Sequence, residues 1–120
     1  MKETPPQKLL VSLFSIPEDY RSSLEKISQS SKLSPGKVSI NTCIVRALES
    51  YLNLPLDAQP KPCLPSVPLS SFTVRTTVTL KQKLNHCAAS WQLKTSLPVS
   101  MNSVVNTAIL IYLQNINSRQ

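Results

Sequence analysis

The sequence predicts a mainly α-helical fold with one two-stranded antiparallel ribbon, built from a β-α-α segment that occurs twice. The segment VSINTCIVRALESYL (38–52) recurs as VSMNSVVNTAILIYL (99–113), with Val, Ser, Asn, Ala, Tyr and Leu identical at matching positions. A short stretch typical of a strand, then a stretch with helical periodicity, precedes each copy. An internal repeat of this kind indicates two structurally equivalent units.

The predicted strands are KLLVSLFSIP (8–17) and SFTVRTTVTL (71–80). Successive side chains of a strand point to opposite faces. If Ile16 and Leu80 face the core, so do four other apolar residues, Leu10, Phe14, Val74 and Val78. The alternative register turns Ser12 and Phe14 outward, which would remove an aromatic side chain from the core, so we adopt the first register.

Two helices follow each predicted strand. The first helix of each unit places apolar residues at i, i+4 and i+7, namely Tyr20, Leu24, Ile27 and Leu84, Ala88, Trp91. Pro17 is expected to begin the first of these helices, where its missing N–H costs nothing. Ser39 and Ser100 stand at the N-cap positions of the second helices. The spacing predicts a three-residue insertion near residues 29–37 of the first unit.

The chain is expected to form one domain, residues 1–120, with units at 8–53 and 71–117. The intervening residues 54–70 contain five prolines, which predict an extended, stiff linker in polyproline II conformation. One strand and two helices cannot bury their own apolar faces. Two units can do so by pairing their strands and interlocking four helices, which predicts an intramolecular pseudo-dimer that is monomeric in solution.

The charge distribution favours an anionic partner. The chain has 13 Lys and Arg against six Asp and Glu, and all six acids fall within the first 57 residues. Residues 58–120 contain six basic residues and no acid. Such a segment suits nucleic acid or an anionic membrane surface, although a solvated basic face is the alternative interpretation.

Other features argue against most enzymes, metals and membranes. One glycine and one histidine are incompatible with glycine-rich phosphate loops and common zinc patterns, so we expect no catalytic residues, cofactor or metal. No apolar run approaches the roughly 20 residues that a membrane span needs, and the N-terminus lacks the features of a secretory signal. Three widely spaced cysteines favour a reducing cytoplasm and buried thiols over disulfides.

The pattern resembles the ribbon–helix–helix family. The resemblance rests on the strand–Pro–helix start FSIPEDY (14–20) and on the Val-Ser-x-Asn-[Ser/Thr] start of the last helix in both units. It implies sequence-specific binding of double-stranded DNA, with the ribbon in the major groove. Within the family, the tandem arrangement looks most like members that bind near T-DNA borders on Agrobacterium plasmids and promote T-strand processing and transfer.

The outward strand face supplies the candidate base-reading residues. On the second strand these are Thr73, Arg75 and Thr77, because arginine can bind guanine and threonine offers a hydroxyl and a methyl group. The matching face of the first strand is mostly apolar, with Val11 and Leu13 suited to thymine methyl groups. The sequence therefore predicts asymmetric recognition concentrated on the second strand. An exposed strand rich in Thr for β-propensity is the structural alternative.

The candidate phosphate contacts are of two kinds. The family resemblance implies the start of the second helix in each unit, which maps to Ser39–Ile40 and Ser100–Met101. Helix-terminal amides hold anions well, although a Ser that merely caps its own helix fits the sequence equally.

The other predicted phosphate contacts come from the residues themselves. Lys81 and Lys83 are placed in the first turn of a helix, where the dipole disfavours cations. Lys37 is a weaker candidate beside a helix start. Ser15 and Thr79, near the ends of the predicted strands, complete the set.

Two other functions fit the same sequence. A protein-interaction adaptor would use the Pro-rich linker or outer helices to bind an ATPase, relaxase or secretion component of conjugative DNA processing. A plasmid transcriptional repressor would use the same ribbon at an operator site.

Overall fold

The computed structural model describes residues 9–30 and 39–118. Its strands and helices, in chain order, are β1 (Leu9–Pro17), α1 (Glu18–Ser30), α2 (Ile40–Leu52), β2 (Leu69–Thr77), α3 (Val78–Thr95) and α4 (Met101–Ser118). One 3₁₀ turn, Leu56–Ala58, lies between α2 and β2. The predicted mainly helical fold with a two-stranded antiparallel sheet is therefore confirmed, and the β-α-α order occurs twice.

The two strands pair along their whole length. Leu9 lies opposite Thr77, Leu13 opposite Thr73, and Pro17 opposite Leu69. Phe14, Ile16 and Val74 are buried as predicted, whereas Leu10 is half-buried. The adopted register of the first strand is therefore correct, because Phe14 faces the helices.

The second strand ends three residues earlier than predicted. Thr77 is the N-cap of α3, and its Oγ1 accepts a hydrogen bond of 3.1 Å from the amide of Leu80. Val78 thus begins a helix and is exposed instead of facing the core from a strand. Leu80 does reach the core, but from the first turn of α3.

The predicted three-residue insertion disappears with this correction. Helix α1 begins at Glu18 and α2 at Ile40, while α3 begins at Val78 and α4 at Met101. The spacing of the two helices in the two halves therefore differs by a single residue. Pro17 is the last residue of β1, one position before the helix that it was predicted to begin.

The four helices form a layer behind the ribbon. Helices α2 and α4 pack against each other at its centre, and α1 and α3 each contact both of them. Large side chains of all four helices are fully buried there, including Leu24, Ile44, Leu48, Leu84, Val105 and Ile109. Burial of each contributes roughly 1.5–3 kcal/mol relative to exposure. The predicted helical periodicity thus identifies the core side of each helix.

The segment between α2 and β2, predicted as an extended linker, is fastened to the helices. Buried Gln59 donates from Nε2 to the carbonyls of Tyr51 and Leu54, and its Oε1 accepts from the indole N–H of Trp91 at 2.9 Å. The hydroxyl of Tyr51 donates to the carbonyl of Pro60 at 2.6 Å. The last two residues of the predicted linker 54–70, Leu69 and Ser70, belong to β2.

Candidate functional site

The outer face of the ribbon carries all five predicted base-reading residues. Val11 and Leu13 expose 67% and 69% of their surface, so their side chains point away from the helices. Arg75 lies directly opposite Val11, and Thr73 lies opposite Leu13. Thr77 lies opposite Leu9 at one end of the ribbon, where it is half-buried and its hydroxyl caps α3. One strand of the face is thus apolar and the other is polar and cationic.

Three asparagines hold the free edges of the ribbon. Asn41 of α2 accepts from the Arg75 amide at 2.7 Å and donates to the Arg75 carbonyl at 3.1 Å. Asn102 of α4 accepts from the Ser15 amide at 2.9 Å. Asn106, one turn further along α4, donates to the Ser15 carbonyl at 2.9 Å. Side chains of α2 and α4 thus satisfy edge groups that a two-stranded ribbon leaves unpaired.

These contacts place the starts of α2 and α4 at opposite edges of the ribbon. Ser39 caps α2 by accepting from the Thr42 amide at 3.1 Å. Ser100 accepts from the Ser103 amide at 3.1 Å in the same way. The predicted caps are confirmed, and Ile40 and Met101 begin the two helices. The first amides of a helix have no intrahelical partner, so both ends present partial positive charge.

The remaining predicted phosphate contacts are dispersed. Lys81 and Lys83 lie in the second turn of α3, because this helix begins at Val78, so the dipole argument for them is wrong. Lys81 Nζ donates to Ser12 Oγ at 2.7 Å and lies 5.2 Å from the centre of the Phe14 ring. It is therefore engaged on the core side of the ribbon, whereas Lys83 is exposed.

Three other predicted residues have different placements. Thr79 lies in the first turn of α3, not on the strand face where it was expected. Ser15 lies on β1, with both backbone polar groups bonded to α4. Lys37 lies outside the described residues.

A groove of about 730 Å³ runs between α2 and the edge of β2. We call it the α2–β2 groove. Its lining includes the start of α2, two arginines and the outward threonines of β2: Ser39, Asn41, Thr42, Arg46, Thr73, Arg75 and Thr77. Glu49, further along α2, also lines it. The ribbon face and the start of α2 thus form one continuous concave surface.

The corresponding edge on α4 is different. Thr107 Oγ1 accepts from the Cys63 amide at 3.0 Å and donates to the Cys63 carbonyl at 3.3 Å. The segment between α2 and β2 therefore crosses α4 at the position that matches Arg46 in the sequence repeat.

Burial governs the titratable groups behind the ribbon. It raises the pKa of the Cys87 thiol, although the bond from this thiol to Gln59 opposes the shift. Burial also raises the pKa of Cys43, and a hydrogen bond with Tyr112 and the charge of Arg46 oppose it. Both thiols are therefore less ionised at neutral pH than a free cysteine, consistent with packing roles.

Sequence reasoning missed three functional candidates. Asn41 and Asn102 stand at identical positions of the repeat, and this identity was the signal that they share a role. Arg46 gave no such signal, since its match in the repeat is Thr107 and an exposed arginine on a helix is ordinary.

Comparisons with family models, curated proteins and solved structures found no match for this chain. Within 9–30 and 39–118, no helix is long and apolar enough to cross a membrane. The same residues contain no cluster of three or more His, Cys, Asp or Glu that could hold a metal ion.

Proposed function

We propose that the protein is a duplex-DNA-binding module of the ribbon–helix–helix type, whose ribbon enters the major groove with its outer face. The observation that carries this proposal is the exposed face on which Arg75, Thr73 and Thr77 pair with Val11, Leu13 and Leu9. The major groove of B-DNA is about 12 Å wide and admits a two-stranded ribbon.

The chemistry of this face matches base edges. The Arg75 side chain is exposed, and its backbone is fixed by Asn41 on both polar groups. A guanidinium on a rigid strand suits bidentate bonding to guanine O6 and N7. Val11 and Leu13 offer methyl groups for contact with thymine. Recognition is then asymmetric, with polar discrimination on β2 and apolar contact on β1.

Phosphate contact completes the proposal. The starts of α2 and α4 flank the ribbon, where their amides and partial charge suit the DNA backbone on either side. The Lys and Arg residues of 58–120, with no acid among them, add a favourable long-range field.

A repeated contact supports the intramolecular pseudo-dimer. Arg75 and Ser15 each lie two residues before the end of their strand, and each backbone amide is bound by the asparagine at the same repeat position, Asn41 or Asn102. Each β-α-α half thus fastens the strand of the other half. On this basis one chain supplies what two copies supply elsewhere, and the protein binds DNA as a monomer.

The biological role rests on resemblance. The sequence looks most like the second product of the virC operon of Agrobacterium Ti plasmids, which favours accessory binding near T-DNA borders alongside ATPase and relaxase components in the cytoplasm. Operator binding by a plasmid repressor uses the same surface at a different site. The proposed role is binding, not catalysis.

The test is binding to duplexes selected from a random pool. Affinity is expected to fall steeply with salt, with log K decreasing by about 0.9 per phosphate contact for each unit of log salt concentration. Arg75→Ala should lose roughly 1–3 kcal/mol of discrimination at one base pair. A flat salt dependence, or unchanged base preference in Arg75→Ala, would contradict the proposal.

A protein-interaction adaptor remains the second candidate, favoured by Leu64 and Val67. These two residues between α2 and β2 expose 46% and 52% of their surface. Replacing both with Ser leaves the Gln59 contacts in place. Loss of ATPase or relaxase binding with intact DNA binding would favour the adaptor.

A further inference from the structure

The two edges of the ribbon differ in charge as well as in openness. At the α2 edge, Arg46 and Arg75 both line the α2–β2 groove. Their counterparts at the α4 edge are Thr107, by the sequence repeat, and Ser15, by position in the strand. Both counterparts are uncharged, and the side chain of Thr107 is already bonded within the protein.

The α2–β2 groove also contains an unsatisfied polar atom. Thr76 lines the groove and is 2% exposed, and its Oγ1 has no hydrogen-bond partner among the residues that the structure describes. A buried hydroxyl without a partner is energetically unfavourable. A polar group or water that enters the groove deeply enough to reach this buried oxygen would satisfy the hydroxyl.

The groove therefore combines three features of a phosphate site. They are the first amides of α2 that the Ser39 cap leaves without an intrahelical partner, the guanidinium of Arg46 and the hydroxyl of Thr76. Its volume of about 730 Å³ far exceeds the roughly 30 Å³ that one water occupies. A backbone phosphate with its hydration can enter such a space.

We propose that the α2–β2 groove is the dominant backbone-phosphate clamp of the protein, with Arg46 as its principal cation, and that the protein consequently binds duplex DNA in one fixed polarity. This inference rests on the proposed function. The α4 edge then contributes a weaker, uncharged contact, so the two flanks of the DNA site are held unequally.

Glu49 limits how far along α2 a phosphate can bind in the groove. It is the carboxylate among the residues that line the groove, nine positions after Ile40. Its charge would repel a phosphate placed near it. The DNA backbone is therefore expected to cross the groove between the start of α2 and Arg46.

The test compares Arg46→Met with Lys94→Met. Each variant removes one positive charge and keeps an apolar stem, and Lys94 is bonded to Asp57 outside the groove. Arg46→Met should weaken duplex binding about fivefold near physiological salt and reduce the salt slope by about one phosphate. Lys94→Met should change affinity less than about twofold. Thermal melting of both variants checks that each is folded.

Phosphate ethylation interference on the selected duplex tests the polarity. Strong interference is expected on the phosphates of one flank and weak interference on the other. A pattern symmetric about the site, or equal effects of Arg46→Met and Lys94→Met, would overturn the inference while leaving DNA binding intact. Absence of duplex binding by the parent protein would instead overturn the proposed function.

Discussion

The α2 edge and the α4 edge of the ribbon share a serine cap and an asparagine contact with the strand, and they differ in the surface beside these contacts. Asn41 and Asn102 bind the strand backbone at equivalent positions. Beyond that contact, α2 leaves an open groove with two arginines, whereas α4 is covered where Thr107 bonds Cys63. The asparagines that hold the ribbon are thus equivalent in the two β-α-α segments, whereas the surface beside them differs.

The segment that covers the α4 edge offers the largest expected effect. Gln59→Ala leaves the Trp91 indole N–H and the Tyr51 and Leu54 carbonyls without their partner. We expect the free energy of unfolding to fall by about 2–4 kcal/mol, measured by urea denaturation. Gln82→Ala, on exposed α3 surface, is the control and should change it by less than about 0.5 kcal/mol. Equal effects would mean that Gln59 does not fasten the segment.

The two asparagines provide the next comparison. Asn102→Ala should reduce the free energy of unfolding by about 1–3 kcal/mol, because the Ser15 amide is partly buried and loses its acceptor. Asn41→Ala should cost about 0.5–1.5 kcal/mol, since its bonds to Arg75 are exposed to water. Paired denaturation curves measure both. A larger loss of unfolding free energy in Asn41→Ala than in Asn102→Ala would contradict the expectation that the contact at the α4 edge is the stronger one.

Substitutions of two lysines of α3 distinguish an effect on DNA binding from an effect on the stability of the fold. Lys83→Ala should weaken all duplexes about equally, by roughly 0.5–1 kcal/mol, with unchanged stability. Lys81→Ala is its control and should lower stability through the lost bond to Ser12. Fluorescence anisotropy with selected and random duplexes measures the first effect. A loss confined to the selected duplex would show that Lys83 reads sequence.

The substitution of Glu49 is expected to have the smallest effect on duplex affinity, and it should raise the affinity instead of lowering it. Glu49→Gln removes the carboxylate from the α2–β2 groove, so duplex affinity should rise about twofold at low salt and less at high salt. Glu25→Gln, on α1 and paired with Arg21, is the charge-matched control. Unchanged or weaker binding in Glu49→Gln would place the DNA backbone away from this groove.

The sequence was sufficient for the ribbon face and for the caps of α2 and α4. A strand period of two, anchored by Phe14 and Ile16, correctly separated the outward Val11 and Leu13 from the core. The repeat located Ser39 and Ser100 because a cap depends on residues within one turn. Local patterns of this kind are visible in sequence.

Other features depend on choices that the sequence leaves open. Thr76, Thr77 and Thr79 are all able to cap a helix, and β-branched Val78 favours a strand, so the end of β2 was misplaced. Gln59 bonds Trp91 across 32 positions, and no local pattern reveals such a contact. The α2–β2 groove likewise requires α2 and β2 to be placed together.

The most direct test of the account is a titration of the isotopically labelled protein with its selected duplex, followed by amide chemical shifts. The largest changes are expected at Val11, Leu13, Thr73 and Arg75 and at the start of α2, with smaller changes at the start of α4. Leu93, near the end of α3, is the most exposed large apolar side chain among the described residues. Changes centred there, with the ribbon amides unmoved, would contradict the placement of DNA on the ribbon face.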